Sequence, residues 1–356
     1  MTKLIIQIPC YNEAQTLPQV LADLPRQIEG IDCVQTLVID DGSTDGTAEV
    51  AASLGVDHVV RHSGNRRLAR AFQTGLDTSL RLGADIIVNT DGDNQYPGRY
   101  VPDLIAPILR GQADLVIANR QTSRIAHFTP LKRQLQKWGS RVVRMASGTR
   151  VPDAPSGFRA YSREAALQLC VITDYTYTLE TIIQAGKKGL KIASIPIEVN
   201  PQIRESRLIR STWGYIKQSA ATVLRIYAFY EPLRTFLCLS VPFFVLGFVL
   251  LARFSYFYLV GERGIARFVQ SLFIGGISTV IGLLVAMLGV LADLNASHRR
   301  LTEEVLYRLR KQELARVSGQ CVTDGGVFPQ HEGGAHREGE SEGDEETKAP
   351  ALAQED

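Results

Sequence analysis

The stretch NTDGDNQYP, residues 89–97, decides how the rest of the sequence is interpreted. It follows the apolar run ADIIV, residues 84–88, which predicts a buried strand. Asp91 and Asp93 therefore stand at the carboxyl end of that strand, where both carboxylates can bind one divalent cation. Gly92 between them leaves room for a phosphate group to approach closely. The pattern predicts a metal-bridged diphosphate site, although a plain loop rich in Asp, Asn and Gly looks similar.

Apolar runs alternate with helix-length segments along the first half of the chain. The runs predicted as strands are residues 4–8, 34–39, 57–60, 86–88 and 114–118, with two more within 152–166 and 190–200. The alternation of strands and helices favours an α/β fold with a mainly parallel sheet that is covered on both faces. In open sheets of this kind, ligands bind outside the carboxyl ends of the strands.

Three polar clusters fall at such strand ends: PCYNE at 9–13, DDGSTDGT at 40–47 and DGDNQ at 91–95. Adjacent Asp40 and Asp41 are costly at a strand end without hydrogen-bond donors, such as a ribose hydroxyl or a base N–H. Tyr11 offers a flat apolar face for a base, and Glu13 offers an acceptor. A turn with a helix cap explains 42–46 as well, and a simple helix start explains 9–13.

Cysteine usage and charge bound the class of protein. The five cysteines are odd in number and include no Cys-x-x-Cys pair, which favours a reducing compartment over a disulfide scaffold or a zinc site. The amino-terminal run meets Pro9 too early for a cleavable signal, so we expect this part to be cytosolic.

Because the whole chain carries +2 and its last 39 residues carry −8, residues 1–317 carry +10. A basic body suits a nucleotide, a lipid phosphate or an anionic membrane surface.

A basic amphipathic helix is predicted over residues 130–148. One interpretation is a helix that lies on the core with a solvated face. The other is a helix that faces a membrane or receives a phosphate. Arg120, Arg124 and Arg133 lie on or beside the segment after the fifth strand, where a second anionic substrate would enter.

Two apolar spans predict a transmembrane hairpin at 233–293. Residues 236–259 contain one charge, Arg253, and residues 268–291 contain none. Each span has 24 residues, against about 20 needed to cross a bilayer. A buried helical hairpin of a soluble protein is the alternative. Arginines on both flanks predict a two-span integral membrane protein whose amino-terminal domain and both termini are cytosolic.

The remaining segments are predicted from their polarity. Residues 211–232 mix aromatic side chains with Lys and Arg, which favours amphipathic helices at a membrane interface. Residues 294–317 predict a charged cytosolic helix that offers a surface for a second copy of the chain. Residues 318–356 predict a disordered acidic tail.

Five motifs in fixed order, followed by two spans, carry a family resemblance. They are IPCYNE, VIDDGSTDGT, NTDGDNQYP, SGFRAYSREA and RESRL. The sequence resembles inverting family 2 glycosyltransferases of the GT-A fold, and most closely the polyprenyl-phosphate group typified by dolichol-phosphate mannose synthase. The motifs cover about residues 3–210, so the resemblance implies a GT-A domain over 1–210 with a Rossmann-like, mixed sheet.

The resemblance also implies a role for each matching residue. The nucleotide site would comprise Pro9, Tyr11, Glu13, Asp40 and Asp41. The catalytic acids, which with Gln95 would bind Mg²⁺ or Mn²⁺, would be Asp91 and Asp93. The acceptor phosphate would meet Arg120 and Arg133, with Arg124 nearby, and the donor-phosphate loop would carry Arg204 and Ser206. Two departures stand out: Asn65-Arg66-Arg67 replaces the usual Gly-Lys-Gly or Asn-x-Gly, and RESRL lacks a glycine often found there.

The implied function is transfer of a hexose from a UDP- or GDP-linked sugar to polyprenyl phosphate, at the cytosolic face of a membrane and without nucleic acid. Another lipid acceptor, such as diacylglycerol, is one alternative; its neutral hydroxyl requires a base, for which Asp153 or Glu180 would serve. A non-catalytic membrane scaffold that recruits partners through the acidic tail is the other. A processive polysaccharide synthase is disfavoured, because the sequence has no Gln-x-x-Arg-Trp motif.

Overall fold

The fold is described from a computed structural model. It covers residues 1–121, 148–149, 151–171, 177–200, 231–260 and 269–323. Several predictions lie outside these residues: the helix at 130–148, the interface segment up to residue 230, the tail from 324, and the side chains Arg124, Arg133, Arg204 and Ser206.

Seven strands form one mixed sheet. They are β1 (Lys3–Cys10), β2 (Cys33–Asp40), β3 (His58–Arg61), β4 (Ile86–Asn89), β5 (Leu115–Asn119), β6 (Arg159–Ser162) and β7 (Ile192–Pro196). Their order across the sheet is β3-β2-β1-β4-β6-β5-β7. β6 runs antiparallel to β4 and β5, and the other pairs are parallel. The prediction of a mixed, mainly parallel α/β sheet is confirmed.

Helices cover both faces of the sheet and then leave it. They are α1 (Leu17–Asp23), α2 (Thr47–Ser53), α3 (Leu68–Arg81), α4 (Val101–Leu109), α5 (Arg163–Gln168), α6 (Tyr177–Lys187), α7 (Pro232–Val260) and α8 (Val269–Thr323). A short 3₁₀ turn, Gly98–Tyr100, precedes α4. Ser162 caps α5, because its hydroxyl accepts a hydrogen bond from the Ala165 amide at 3.1 Å.

The core lies in two layers that share β1. Ile5 packs on one side of the sheet with Phe72 of α3, whereas Ile6 packs on the other with Leu104 of α4. This alternation follows from the two-residue period of a strand. A strand that is buried on both faces requires a continuous apolar sequence, as β1 has from Leu4 to Cys10 except at Gln7.

The strand order brings the predicted polar clusters together. β2, β1 and β4 are adjacent and parallel, so their carboxyl ends share one edge of the sheet. Antiparallel β6 adds its amino end to that edge, because Arg159 pairs with Asn89. The edge therefore collects the loops after β1, β2, β4 and β5 with the turn before β6.

The helices α7 and α8 are long and apolar enough to cross a membrane. Only 11% and 22% of their most apolar windows are buried, which argues against the buried hairpin of a soluble protein. They pack closely: a side chain on Gly247 of α7 would lie 2.2 Å from Thr279 Oγ1 of α8. α8 joins the second predicted span and the predicted cytosolic helix into one helix, and it ends at Thr323 rather than near residue 317.

Candidate active site

The loops after β1 and β2 hold one another through hydrogen bonds. Asn12, at φ +56°, donates its amide to Ser43 Oγ at 2.9 Å, and its side-chain oxygen accepts from the Thr44 amide at 2.9 Å. The Glu13 amide donates to Thr47 Oγ1 at 3.0 Å. Tyr11, which follows Pro9, keeps 40% of its surface exposed at the mouth of this pair of loops. The ring is therefore available to stack on a base.

Asp40 is fully buried and has a protein hydrogen-bond donor at one oxygen only. Its Oδ1 accepts from the Ser43 amide at 2.9 Å, and its Oδ2 lies 3.3 Å from Arg61 Nε. That second oxygen forms no hydrogen bond, so the expectation that a ligand supplies a donor to Asp40 stays a prediction. Arg61, the last residue of β3, supplies the nearby positive charge.

Asp41 is also partnered from the β3 side. Its Oδ1 lies 2.7 Å from His62 Nδ1 and accepts from the Arg66 amide at 2.9 Å. His62 Nε2 in turn lies 3.0 Å from Thr74 Oγ1. Both bonds engage the same oxygen, so Asp41 faces the site with a fixed orientation and retains the capacity to accept from a ligand.

Asp91 and Asp93 differ from this first pair. Asp93 is exposed, and its Oδ1 accepts from the Gln95 amide at 3.0 Å. Burial, followed by the negative charge of Asp93, raises the pKa of Asp91 from 3.8 to about 7. The two carboxylates repel each other, and a divalent cation would relieve that repulsion.

The donor set fits a hard divalent cation that is completed by substrate. Two carboxylates and the Gln95 oxygen are ligands that Mg²⁺ or Mn²⁺ accepts. Within the described residues, no group of three or more His, Cys, Asp or Glu side chains is placed to hold a metal ion. Mg²⁺ usually binds through one or two carboxylates together with water and substrate phosphates, which suits a pair of acids.

Glycines fix the position of the Asp91 loop. A side chain on Gly157 would lie 2.8 Å from Asp91 Oδ2, so the turn before β6 closes the floor of the site. A side chain on Gly92 would lie 2.9 Å from Cys10 Sγ. Gly92 is thus required by packing against β1, which differs from the predicted role of admitting a phosphate. Thr16 adds a hydrogen bond from its hydroxyl to the Gly92 carbonyl at 2.7 Å.

A buried polar network supports the loop from behind. Asn89 Oδ1 accepts from Gln7 Nε2 at 2.8 Å, and its Nδ2 donates to the Gly157 carbonyl at 2.9 Å and to the Tyr177 hydroxyl at 3.1 Å. Tyr96 accepts from the Gly157 amide at 3.2 Å. Gln7 Oε1 has no hydrogen-bond partner, and the remaining bonds fix the orientation of Asn89 beneath the acid pair.

Arg120 approaches the acid pair from the end of β5. Asp153 holds it in a bidentate pair, with Nε–Oδ2 at 2.9 Å and Nη2–Oδ1 at 3.0 Å. The charge of Arg120 acts on Asp91, whose pKa it lowers against the effects of burial and Asp93. A guanidinium and two acids therefore face one pocket.

Arg159, at the amino end of β6, lies fully buried beneath this pocket. It donates to three carbonyls, those of Ala154, Ser156 and Thr178, at 2.6 to 2.8 Å. These bonds tie the turn that carries Asp153 and Gly157 to the start of α6. Its charge also lowers the pKa of Asp91.

The structure brings most of the predicted site residues to one sheet edge: Pro9, Tyr11, Glu13, Asp40, Asp41, Asp91, Asp93, Gln95 and Arg120. Sequence reasoning missed the supporting residues Gln7, Arg61, His62, Asn89 and Arg159. The sequence does mark four of these five residues. Gln7 and Asn89 are polar residues in apolar strands, and Arg61 and His62 fall at the end of β3, where the strand-end rule applies.

The mixed sheet, with an acid pair after β4 and polar loops after β1 and β2, has the architecture of the GT-A class of nucleotide-sugar transferases. The model of the family described as "Glycosyl transferase family 2" matches residues 5–169. An uncharacterised protein of Methanocaldococcus jannaschii is 32% identical over 203 residues, which span 55% of this chain and 81% of that protein.

Two further comparisons agree. The undecaprenyl-phosphate mannosyltransferase of Micrococcus luteus is 28% identical over 230 residues, which span 61% of this chain and 91% of that protein. Glucosyl-3-phosphoglycerate synthase from Mycobacterium tuberculosis, solved with Mn²⁺, UDP-glucose and phosphoglyceric acid, superposes with a TM-score of 0.50 at 23% identity, over 63% of this chain and 79% of that one. The chain belongs to glycosyl transferase family 2 and is a glycosyltransferase.

Proposed function

We propose that this glycosyltransferase is membrane-bound, depends on a divalent cation, and transfers one hexose from a UDP- or GDP-linked sugar to polyprenyl phosphate at the cytosolic face, with inversion. GT-A residues 1–210 would carry the chemistry, and α7 and α8 would anchor it. The relative from Micrococcus luteus is named for a polyprenyl-phosphate acceptor, which supports this choice.

One observation carries the proposal: two carboxylates and a guanidinium act on one another at the same edge of the sheet. The charge of Asp93 raises the pKa of Asp91, and the charge of Arg120 lowers it. Such a pocket suits a diphosphate on the acid side, bridged by a cation, and a second phosphate on the arginine side. A polyprenyl phosphate supplies that second phosphate.

An acceptor that is already an anion needs no general base. Its phosphate oxygen attacks the anomeric carbon directly, so the chain's task is to position it and to stabilise the leaving group. Asp153 holds Arg120 in place before the acceptor binds, which reduces the entropy lost on binding. When bound by Asp91, Asp93 and Gln95, Mg²⁺ or Mn²⁺ supplies Lewis-acid stabilisation of the departing nucleoside diphosphate.

The alternative acceptor, diacylglycerol, is disfavoured by its need for a base. Asp153 is engaged in the bidentate pair with Arg120. Glu180 is buried and accepts from Gln184 Nε2 at 3.3 Å. Neither carboxylate is placed to take a proton from a hydroxyl in the pocket, which favours the anionic acceptor.

Membranes that contain the expressed protein test the proposal. They are incubated with labelled UDP-glucose or GDP-mannose and polyprenyl phosphate, with Mg²⁺ or Mn²⁺, or with a chelator. We expect a labelled lipid that mild acid hydrolyses, formed only with cation and absent with Asp93→Ala. A labelled lipid that resists mild acid would indicate diacylglycerol, and absence of any labelled lipid with either donor would refute the proposal.

A further inference from the structure

The cytosolic part of α8 packs against the catalytic domain. Leu314 is only 8% exposed and belongs to the core cluster that includes Leu76 and Leu80 of α3. Arg310 Nη2 lies 2.9 Å from Asp77 Oδ1, and its Nη1 donates to the Leu169 carbonyl at 2.9 Å. The same helix that extends from the apolar span therefore contributes an apolar side chain to the domain core.

Further contacts extend this interface along the helix. Tyr307 donates its hydroxyl to Glu164 Oε1 of α5 at 2.8 Å. Glu303 Oε2 lies 3.2 Å from Lys188 Nζ, just after α6, and both side chains are mostly buried. Residues 303, 307, 310 and 314 follow the spacing of one helix face, so a continuous surface of α8 is committed to the domain.

A second contact reaches the other membrane helix. Lys187, the neighbour of Lys188, lies 3.1 Å from Glu231 Oε1 at the start of α7. The adjacent lysines thus contact the cytosolic ends of both apolar helices. At the opposite end of α6, the Tyr177 hydroxyl accepts from Asn89 behind the acid pair. One helix of 11 residues joins the active site to both membrane helices.

The sequence of α8 shows how one helix serves two partners. Gly275, Gly282 and Gly289 recur every seven residues and lie against α7, where side chains would lie 2.8 to 3.3 Å from α7 atoms. Ala296, Glu303 and Arg310 continue the same spacing. A seven-residue stripe drifts by about 20° per repeat on a straight helix. The stripe therefore passes gradually from the face that meets α7 to the face that meets the catalytic domain.

We propose that residues 303–314 of α8 are a strut that holds the catalytic domain at a fixed height and orientation above the bilayer, so that the Arg120 side of the pocket meets the phosphate of a membrane-embedded acceptor. The proposal rests on the proposed function. The distance from Leu291, where the apolar span ends, to Glu303 is about 18 Å along the helix. The strut residues are positioning residues, since they act through the orientation of the domain. A misplacement of 1 Å is enough to cost about 100-fold in rate.

Two acceptors distinguish positioning from chemistry. The full chain is reconstituted in liposomes and assayed with a long-chain polyprenyl phosphate in the bilayer and with a short, water-soluble prenyl phosphate. For Arg310→Ala/Leu314→Ala we expect transfer to the long-chain acceptor to fall by about tenfold or more, and transfer to the short acceptor to stay within about twofold. The matched control is Arg308→Ala/Leu309→Ala, which changes the same residue types on the exposed face of the same helix.

An exchange of charges provides a second test that remains informative if the first variant fails to fold. Glu303→Lys alone should lower long-chain transfer, because residue 303 faces both Lys188 and Arg299. Lys188→Glu/Arg299→Gln/Glu303→Lys, which removes both repulsions, should restore it. The strut proposal would be refuted if the first variant lost activity equally with both acceptors or with neither. It would also be refuted if the charge exchange failed to restore long-chain transfer. If the unaltered chain transfers sugar to neither acceptor, the proposed function itself fails.

Discussion

Two pairs of carboxylates follow β2 and β4, on either side of β1, and have different environments. Asp40 and Asp41 after β2 accept hydrogen bonds from backbone amides and face Arg61 and His62. Asp91, at the end of β4, is half-buried beside a second acid; its partial burial, followed by the charge of Asp93, raises its pKa to about 7. The first pair faces cationic or imidazole side chains, whereas the two acids of the second pair repel each other. The contrast predicts that the first pair shapes the site and that the second pair binds a cation.

The largest expected effect is that of a substitution in the second pair, Asp91 and Asp93. Asp93→Ala removes a cation ligand from an exposed position, so we expect transfer to fall by about 1,000-fold or more while thermal stability hardly changes. Rates measured with saturating donor and acceptor check this. Asp103→Ala, another exposed acid, is the control and should retain full activity. Metal-dependent transfer by Asp93→Ala at an undiminished rate would remove Asp93 from the site.

The raised pKa of Asp91 predicts how cation binding depends on pH. The carboxyl group is protonated below about pH 7 and ionised above it, and a cation must displace that proton. Mn²⁺ affinity should therefore weaken by about tenfold for each pH unit below 7, or about 100-fold by pH 5. Titration calorimetry with Mn²⁺ and UDP at several pH values measures this. Constant affinity across that range would mean that the pair is not coupled as the structure indicates.

One substitution at both pairs should have opposite effects on stability. Asp40→Asn removes the charge that faces Arg61, so the free energy of unfolding should fall by about 1–3 kcal/mol. Asp91→Asn should raise it in the absence of cation, because the ionised carboxylate is destabilising there at every pH above its ordinary pKa of 3.8, increasingly up to about 7. Thermal melting in detergent at pH 8 checks both. Two shifts of the same sign would abolish the distinction between the pairs.

Substitutions of the arginines should weaken binding of the acceptor and leave binding of the donor unchanged. For Arg120→Ala we expect the KM for polyprenyl phosphate to rise about tenfold, with the KM for the donor unchanged, and we expect the same of Arg133→Ala. Since Arg120→Ala leaves Asp153 buried without its partner, Arg120→Ala/Asp153→Asn is measured beside it. The exposed Arg110→Ala is the control. An equal rise in both KM values would contradict the division of the pocket.

The smallest expected effect concerns the loop that covers Asp41. Arg67 has φ +73° and ψ 157°, a conformation that is costly for any residue with a side chain. Arg67→Gly should therefore raise the free energy of unfolding by about 1 kcal/mol, whereas Arg66→Gly should not. Comparison of the melting temperatures of the two variants checks this. A lower melting temperature for Arg67→Gly would show that the arginine side chain compensates for its backbone.

The strands and most helices follow from the sequence because apolar runs and their period carry that information locally. The antiparallel pairing of β6 between β4 and β5 does not, since a four-residue strand has too little sequence to specify its neighbours. The helix α1 begins only at Leu17, because Glu13 and Thr16 form a turn that supports the Asp91 loop, and no local pattern marks that start.

The candidate site was predictable as a set of loops and less so as a set of contacts. Parallel strands bring their carboxyl ends together, so the clusters at residues 9–13, 40–47 and 91–95 had to meet. The partners of Asp40 and Asp41 depend on β3 lying beside β2, which is a long-range pairing. The role of Gly92 depends on the position of Cys10 across the sheet, which no local pattern records.

Because α8 is one continuous helix, the number of its residues sets both the rotation of its domain-facing side and the height of the catalytic domain. Each residue inserted between Leu291 and Glu303 would turn the domain-facing side of the helix by about 100° and shift it by about 1.5 Å. An insertion of seven residues would nearly restore the angle but lift the domain by about 10 Å. Related chains that keep this helix are therefore free to vary in its length only in whole multiples of about two turns, and each such step would suit a different depth of the acceptor phosphate.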